Sequence, residues 1–125
     1  MREHISLITK LHKKKIKNNI LIMFVEIPPK PSISMDPAGV VKWGDLIAIT
    51  CSVPTQYLGG SFTLQKTSGS FTKTQQSTTN SSTFRFLEAN NNHEGDYRCY
   101  YQKTVDSQTL TSPNSDSVTV SVFDN

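Results

Sequence analysis

Two cysteines, Cys51 and Cys99, each stand in a short stretch whose apolar residues recur at every second position. In Ile47-Ala48-Ile49-Thr50-Cys51-Ser52-Val53 the residues Ile47, Ile49, Cys51 and Val53 share one face. In Asp96-Tyr97-Arg98-Cys99-Tyr100-Tyr101 the residues Tyr97, Cys99 and Tyr101 do the same. Successive side chains leave a β-strand on opposite sides, so this alternation marks two half-buried strands, each with an inward cysteine. Two buried free thiols satisfy that placement. So does a single disulfide between two facing sheets, which needs one inward cysteine from each. Joined, the pair closes a loop of 49 residues, worth about 4 kcal/mol in the chain-entropy account. Such a bond persists only in an oxidising compartment.

A covalent staple matters here because the apolar supply is small. At 125 residues the chain is one domain, and hydrophobic residues make up 35% of it, a thin core for a chain this short. The sequon Asn80-Ser81-Ser82 points to the same compartment as a disulfide would, with Asn80 as a candidate glycosylation site. The expected location is extracellular, at a cell surface or secreted.

From Pro28 onward the chain reads all-β, with turn residues recurring at short intervals and no 3.6-residue periodicity. Ile33 and Met35 alternate before the turn Asp36-Pro37-Ala38-Gly39; Phe62 and Leu64 share a face, as do Phe84 and Phe86, and Val118, Val120 and Val122. Residues 61–83 contain 13 Ser or Thr; without proline, and with Phe71 among them, they predict short edge strands rather than a mucin-like stalk. Tyr97 lies two residues before Cys99 and also points inward. A buried tyrosine hydroxyl needs a partner, and a tyrosine corner supplies one by bonding back to main chain a few residues upstream. The expected partner is the Asn90–Glu94 turn, with Asp96 leading into the corner. The fold expected for residues 28–125 is a two-sheet antiparallel sandwich with one inter-sheet disulfide.

Residues 1–27 are a different object. They hold six Lys or Arg against two Glu, whereas residues 28–125 hold seven basic and eight acidic residues. The basicity therefore belongs to this leader, and the near-neutral body argues against a nucleic-acid surface. A basic front followed by the apolar run Ile20–Val25 resembles a secretory signal, yet the run is shorter than the usual ~7–15 residues and no small-residue cleavage site follows. Three readings stay open: a degenerate signal, a start extended into sequence not normally translated, or a basic tail. No apolar run reaches the ~18 residues of a membrane span, so a membrane is expected to be met only through segments outside this sequence.

Catalytic and metal chemistry find no foothold. His4 and His12 fall in the leader and His93 in an Asn-rich turn; no nucleophile elbow, phosphate loop or paired-histidine motif occurs. With both cysteines in a bridge, a zinc site has no thiolates. The reading is of a non-enzyme with no cofactor, no metal and no small-molecule substrate.

Several stretches together carry a family resemblance. Pro29-Lys30-Pro31 opens the domain, Gly44 to Cys51 leads into the first cysteine strand, DYRCYY holds the second, and Thr111-Ser112-Pro113-Asn114-Ser115-Asp116 precedes the last strand. This order is similar to that of immunoglobulin-like domains in leukocyte immunoglobulin-like receptors, killer-cell immunoglobulin-like receptors and related Fc receptors, over residues 29–123. Immunoglobulin domains usually pack a tryptophan on the disulfide; here Trp43 lies before Cys51, and the corresponding core position on the third strand falls at Leu64. The resemblance implies a module of an innate immune receptor ectodomain that binds a protein ligand. An adhesion or structural domain of a larger surface protein is the alternative. Alternation turns Tyr100 outward beside Arg98 and Gln102. The loop Gln56–Ser61, with Tyr57 and Leu58, and the loop Asp106–Ser115, with Leu110, are expected at one end of the sandwich. Tyr57, Leu58, Tyr100 and Leu110 are the candidate ligand-binding residues.

Overall fold

The computed structural model describes residues 9–16 and 19–123. In chain order the strands are β1 (Thr9–Ile16), β2 (Asn19–Glu26), β3 (Ser32–Asp36), β4 (Val40–Lys42), β5 (Ile47–Ser52), β6 (Ser61–Lys66), β7 (Thr72–Gln76) and β8 (Ser81–Phe86). A 3-10 turn, Asn91–His93, precedes β9 (Gly95–Val105), β10 (Gln108–Thr111) and β11 (Val118–Phe123). No helix among the described residues is long and apolar enough to cross a membrane.

β1 and β2 pair antiparallel from Thr9 opposite Glu26 to Ile16 opposite Asn19. The sequence reading treated residues 1–27 as a leader and assigned no strand there. Its statements about residues 1–8 and 17–18, His4 among them, lie outside the described residues, as do Asp124 and Asn125 of the expected domain.

The rest is a two-sheet sandwich. β3, β5 and β8 form one antiparallel sheet in that order. The larger sheet runs β4-β11-β9-β6-β7, with β10 also on β9. Its pairings are antiparallel except that of β4 with β11. Cys51 on β5 and Cys99 on β9 are joined, Cα atoms 6.7 Å apart, so the disulfide ties one sheet to the other.

The alternation in the sequence is what fills the space around that bond. Ile47, Ile49 and Phe84 from the smaller sheet meet Phe62, Leu64, Tyr97, Tyr101, Val120 and Val122 from the larger, all buried in one cluster. Burying each aliphatic or aromatic side chain contributes about 1.5–3 kcal/mol. Leu64 is fully buried and sits directly across the ladder from Cys99. The place beside the disulfide is therefore held by leucine, while Trp43 is half exposed at one end of the sandwich.

Of the strands in the Ser/Thr-rich segment, β7 and β8 lie at sheet edges while β6 lies inside the larger sheet, and hydroxyls pair across their ladders. Thr63 and Thr74 bond across β6 and β7 at 2.8 Å, and Thr50 and Thr83 across β5 and β8 at 2.8 Å, cross-strand pairs that stabilise a ladder by fractions of a kcal/mol. Gln75 on β7 reaches the opposite sheet, its Nε2 donating to Ser82 Oγ at 2.6 Å and to the Thr83 carbonyl at 3.1 Å. That bridge closes the open side of the sandwich with polar groups.

The last strand is split. Between β10 and β11 the chain carries two buried serines, Ser112 and Ser115. Each N–H donates to a β9 carbonyl, Tyr101 at 2.8 Å and Cys99 at 2.7 Å. Each hydroxyl accepts the N–H of the same β9 residue, both at 2.9 Å. Side-chain oxygens thus complete the pairing where the main chain departs from the ladder, and the main-chain N–H groups of Cys99 and Tyr101 are both paired.

Candidate functional site

Strand directions give the sandwich two ends. At one, the loop 53–60 after β5, the turn 77–80 after β7 and the turn after β9 come together. At the other lie residues 42–46, the 3-10 turn and the end of β11.

At the first end, β9 runs out to Val105 and the chain reverses through Asp106 and Ser107, both with positive φ, at 51° and 66°. Two consecutive positive φ values suit a tight two-residue hairpin, and polar residues tolerate them best. β10 then returns with Leu110 opposite Lys103. This corrects the sequence expectation of an open loop over Asp106–Ser115. Leu110 lies in a strand, is only 5% exposed, and its side chain is not available to a partner. Hairpin register puts it on the inner face, and the two polar turn residues alone did not reveal how short the turn is.

The other three candidates differ in their settings. Tyr57 is half-buried and packs its ring edge-on to Tyr101, centroids 6.0 Å apart, so it props the loop on the core. Leu58 next to it is 50% exposed. Its carbonyl accepts a hydrogen bond of 2.7 Å from Lys103 Nζ on β9, which fastens the loop to the hairpin. Tyr100 is half-buried on the outer face of the larger sheet, opposite Thr63 and beside half-buried Arg98. A polar cleft of about 370 Å³ lies between loop and hairpin, with Gly60, Gln76, Gln102, Lys103 and Thr109 in its lining.

Two contributors escaped the sequence reading. Lys103 offered no signal beyond its charge. Gly60 carries no side chain to signal a role, yet a Cβ there would come within 2.6 Å of the Tyr101 ring. The loop can close over Tyr101 only because that side chain is missing.

At the second end, the Tyr97 hydroxyl donates to the His93 carbonyl at 2.7 Å. Burial pushes its pKa up to about 12, so the phenol stays a donor throughout the physiological range. Asn90 caps the 3-10 turn: its Oδ1 accepts from Asn92 N–H at 2.8 Å, and its own N–H donates to His93 Nδ1 at 3.1 Å. The His93 ring stacks on Phe86, centroids 4.4 Å apart. Burial, and secondarily the Lys66 ammonium, hold the His93 pKa below its ordinary value. Asp96 turns outward and accepts from Thr119 Oγ1 at 2.6 Å, apart from the Tyr97 bond itself.

Asn80 stands in the turn between β7 and β8 at the first end, half-buried, with Nδ2 donating to the Val53 carbonyl at 2.6 Å. Among the described residues no group of three His, Cys, Asp or Glu is placed to hold a metal ion.

A family model described as immunoglobulin domain matches residues 37–112. Among solved structures, the chain is similar to that of CHIR-AB1, with 27% identity over 76% of this chain and 99% of the other, and a TM-score of 0.61. The human OSCAR ligand-binding domain shares 18% identity over 89% of this chain, with a TM-score of 0.62, and this chain spans 64% of that one. The second Ig-C2 domain of human Fc-receptor like A shares 19% identity over 74% of this chain and 98% of the other, with a TM-score of 0.49. No curated protein matches the chain.

Proposed function

The chain belongs to the immunoglobulin domain family, and from that premise we propose that it is a protein-binding module of an innate immune receptor ectodomain, acting outside the cell. The observation that carries the reading is the first end of the sandwich, where Leu58 is half exposed on a loop pinned at both sides, by Tyr57 on Tyr101 and by Lys103 on the Leu58 carbonyl. An exposed apolar side chain on a loop that does not have to be ordered on binding saves the entropy that ordering would cost. Tyr100 and Arg98 on the adjoining sheet face add the residue types most enriched at interface hot spots.

Likeness to CHIR-AB1 at 27% identity supports the placement among immune-receptor domains. The human OSCAR structure is named a ligand-binding domain, which supports a binding role for this one. No catalytic step, metal or cofactor is assigned.

The test is staining of leukocyte and stromal cells with fluorescent tetramers of the full chain. A protease-sensitive signal lost in Leu58→Asp and in Tyr100→Ala, and kept in Leu87→Asp at the opposite end, supports the reading. Equal loss in all three, or a signal indifferent to Leu58 and Tyr100, refutes it.

A further inference from the structure

The turn between β7 and β8 joins the loop 53–60 at both of its ends. Val53 N–H donates to the Asn80 carbonyl at 2.9 Å, and Ser77 N–H donates to the Gly60 carbonyl at 2.9 Å. The first contact extends the β5–β8 ladder one step past the Ser52–Ser81 pair, and there the Asn80 side-chain amide, rather than a main-chain N–H, returns the bond to Val53. Thr78 and Thr79 beside it are exposed. On the other flank of the same loop stands the β9–β10 hairpin, held through Lys103. Asn80 is also the first residue of Asn80-Ser81-Ser82, which has no proline in the middle, and the inter-sheet disulfide suits the secretory compartment in which such asparagines are modified.

We propose that Asn80 carries an N-linked oligosaccharide, and that this glycan walls one flank of the 53–60 loop so that a partner reaches Leu58 from the β9–β10 side. The second half rests on the contact reading above. Transfer from a lipid-diphosphate-linked sugar donor forms a bond between Nδ2 and the sugar C1 and breaks the C1–O bond to the diphosphate. It releases the lipid diphosphate and one amide proton. One N–H remains on Nδ2, so the bond to the Val53 carbonyl and the sugar coexist on one nitrogen. Ser82 Oγ accepts from Gln75 in the folded protein and Ser82 pairs with Cys51 on β5. The sequon is therefore free only before β8 docks, and modification precedes closure of the sandwich.

The experiment uses the full chain directed into the secretory pathway of a eukaryotic cell. Endoglycosidase trimming should give a downward gel shift in the wild type and in Ser82→Thr, and none in Ser82→Ala, which deletes the sequon and leaves Asn80 on Val53. Hydroxyl-radical footprinting should then show Leu58 labelled more in the trimmed protein than in the untrimmed one, with Leu87 at the far end unchanged. Absence of any shift in secreted wild type overturns the modification; equal Leu58 labelling overturns its placement. Neither result depends on a partner. Cell staining that ignores Leu58→Asp in a protein that does shift removes the contact reading alone.

Discussion

Ser115 holds both main-chain groups of Cys99, donating its N–H to the cysteine carbonyl at 2.7 Å and accepting the cysteine N–H on its hydroxyl at 2.9 Å. The residue that anchors the disulfide in the larger sheet thus depends on a side-chain oxygen for its only acceptor on that side. Ser115→Ala keeps the main-chain bond and leaves a buried N–H unpaired, so unfolding free energy should fall by about 1–3 kcal/mol. Denaturant titration with an unchanged slope would show it as a shifted midpoint. An unmoved midpoint would mean that the N–H finds another acceptor.

Tyr97 does for the opposite end of β9 what Ser115 does for its middle. Its hydroxyl ties the strand to the carbonyl of His93, and the ring packs among Phe71 and Phe86 at centroid distances of 5.8 and 5.7 Å. Tyr97→Phe keeps the ring and removes the tie, so a loss of about 1–3 kcal/mol is expected. Amide exchange should rise in residues 90–94 more than in β5. Uniform exchange at both places would show that the bond does not restrain the turn.

How much of this was open to reading from the sequence follows from where side chains and where main chain decide the structure. Period-two alternation around Cys51 and Cys99 was enough for two inward strands, because burial of one face dictates that pattern. The vacancy left by Trp43 pointed to Leu64 by spacing from Cys51. The split of the last strand was not legible. Its continuity runs through the hydroxyls of Ser112 and Ser115, and serine in a Pro-containing segment reads as loop. Leu110 was misplaced for the same reason: a two-residue turn leaves it in a strand, whereas ten polar-rich residues from Asp106 to Ser115 suggest an open loop. The β1–β2 pairing was hidden because lysine-rich and apolar halves carry no alternation.

His93 makes the 3-10 turn sensitive to pH. Nδ1 accepts from Asn90 only while unprotonated, and burial and Lys66 both lower its pKa. Of the other groups near the ring, Phe86 is neutral and Tyr97 is a neutral phenol, while the Glu94 carboxylate, next in the chain, is turned to accept Val122 N–H at 2.9 Å. A histidine with a depressed folded-state pKa binds protons more readily when unfolded. Stability is therefore full above the ordinary value of 6.5 and declines as pH falls through it toward the folded value. The thermal midpoint should drop between about pH 7.5 and about pH 5.5, and drop less in His93→Gln, which keeps an acceptor without titrating. Identical pH profiles for the two proteins would remove His93 from the account.

Neighbouring glycines at the contact end should respond oppositely to one substitution. Gly59 has φ of 80° and open space around it, so Gly59→Asn, the side chain most at ease with positive φ, should be nearly neutral. Gly60 faces the Tyr101 ring at 2.6 Å, so Gly60→Asn should cost about 1–3 kcal/mol or more through overpacking. Circular-dichroism melts of the two variants decide the matter; equal costs would mean the loop yields rather than the core.

The division between a stapled core and a contact surface at the 53–60 loop is tested most directly by measuring cell binding and thermal midpoint together for Leu58→Ala, Tyr100→Ala and Leu110→Ala. Leu58→Ala and Tyr100→Ala should weaken binding with midpoints close to wild type. Leu110→Ala should lower the midpoint, by an amount corresponding to about 2–5 kcal/mol for a buried leucine, and retain binding at a temperature where it is folded. Loss of stability without loss of binding at Leu58 and Tyr100, or loss of binding without loss of stability at Leu110, would contradict the account.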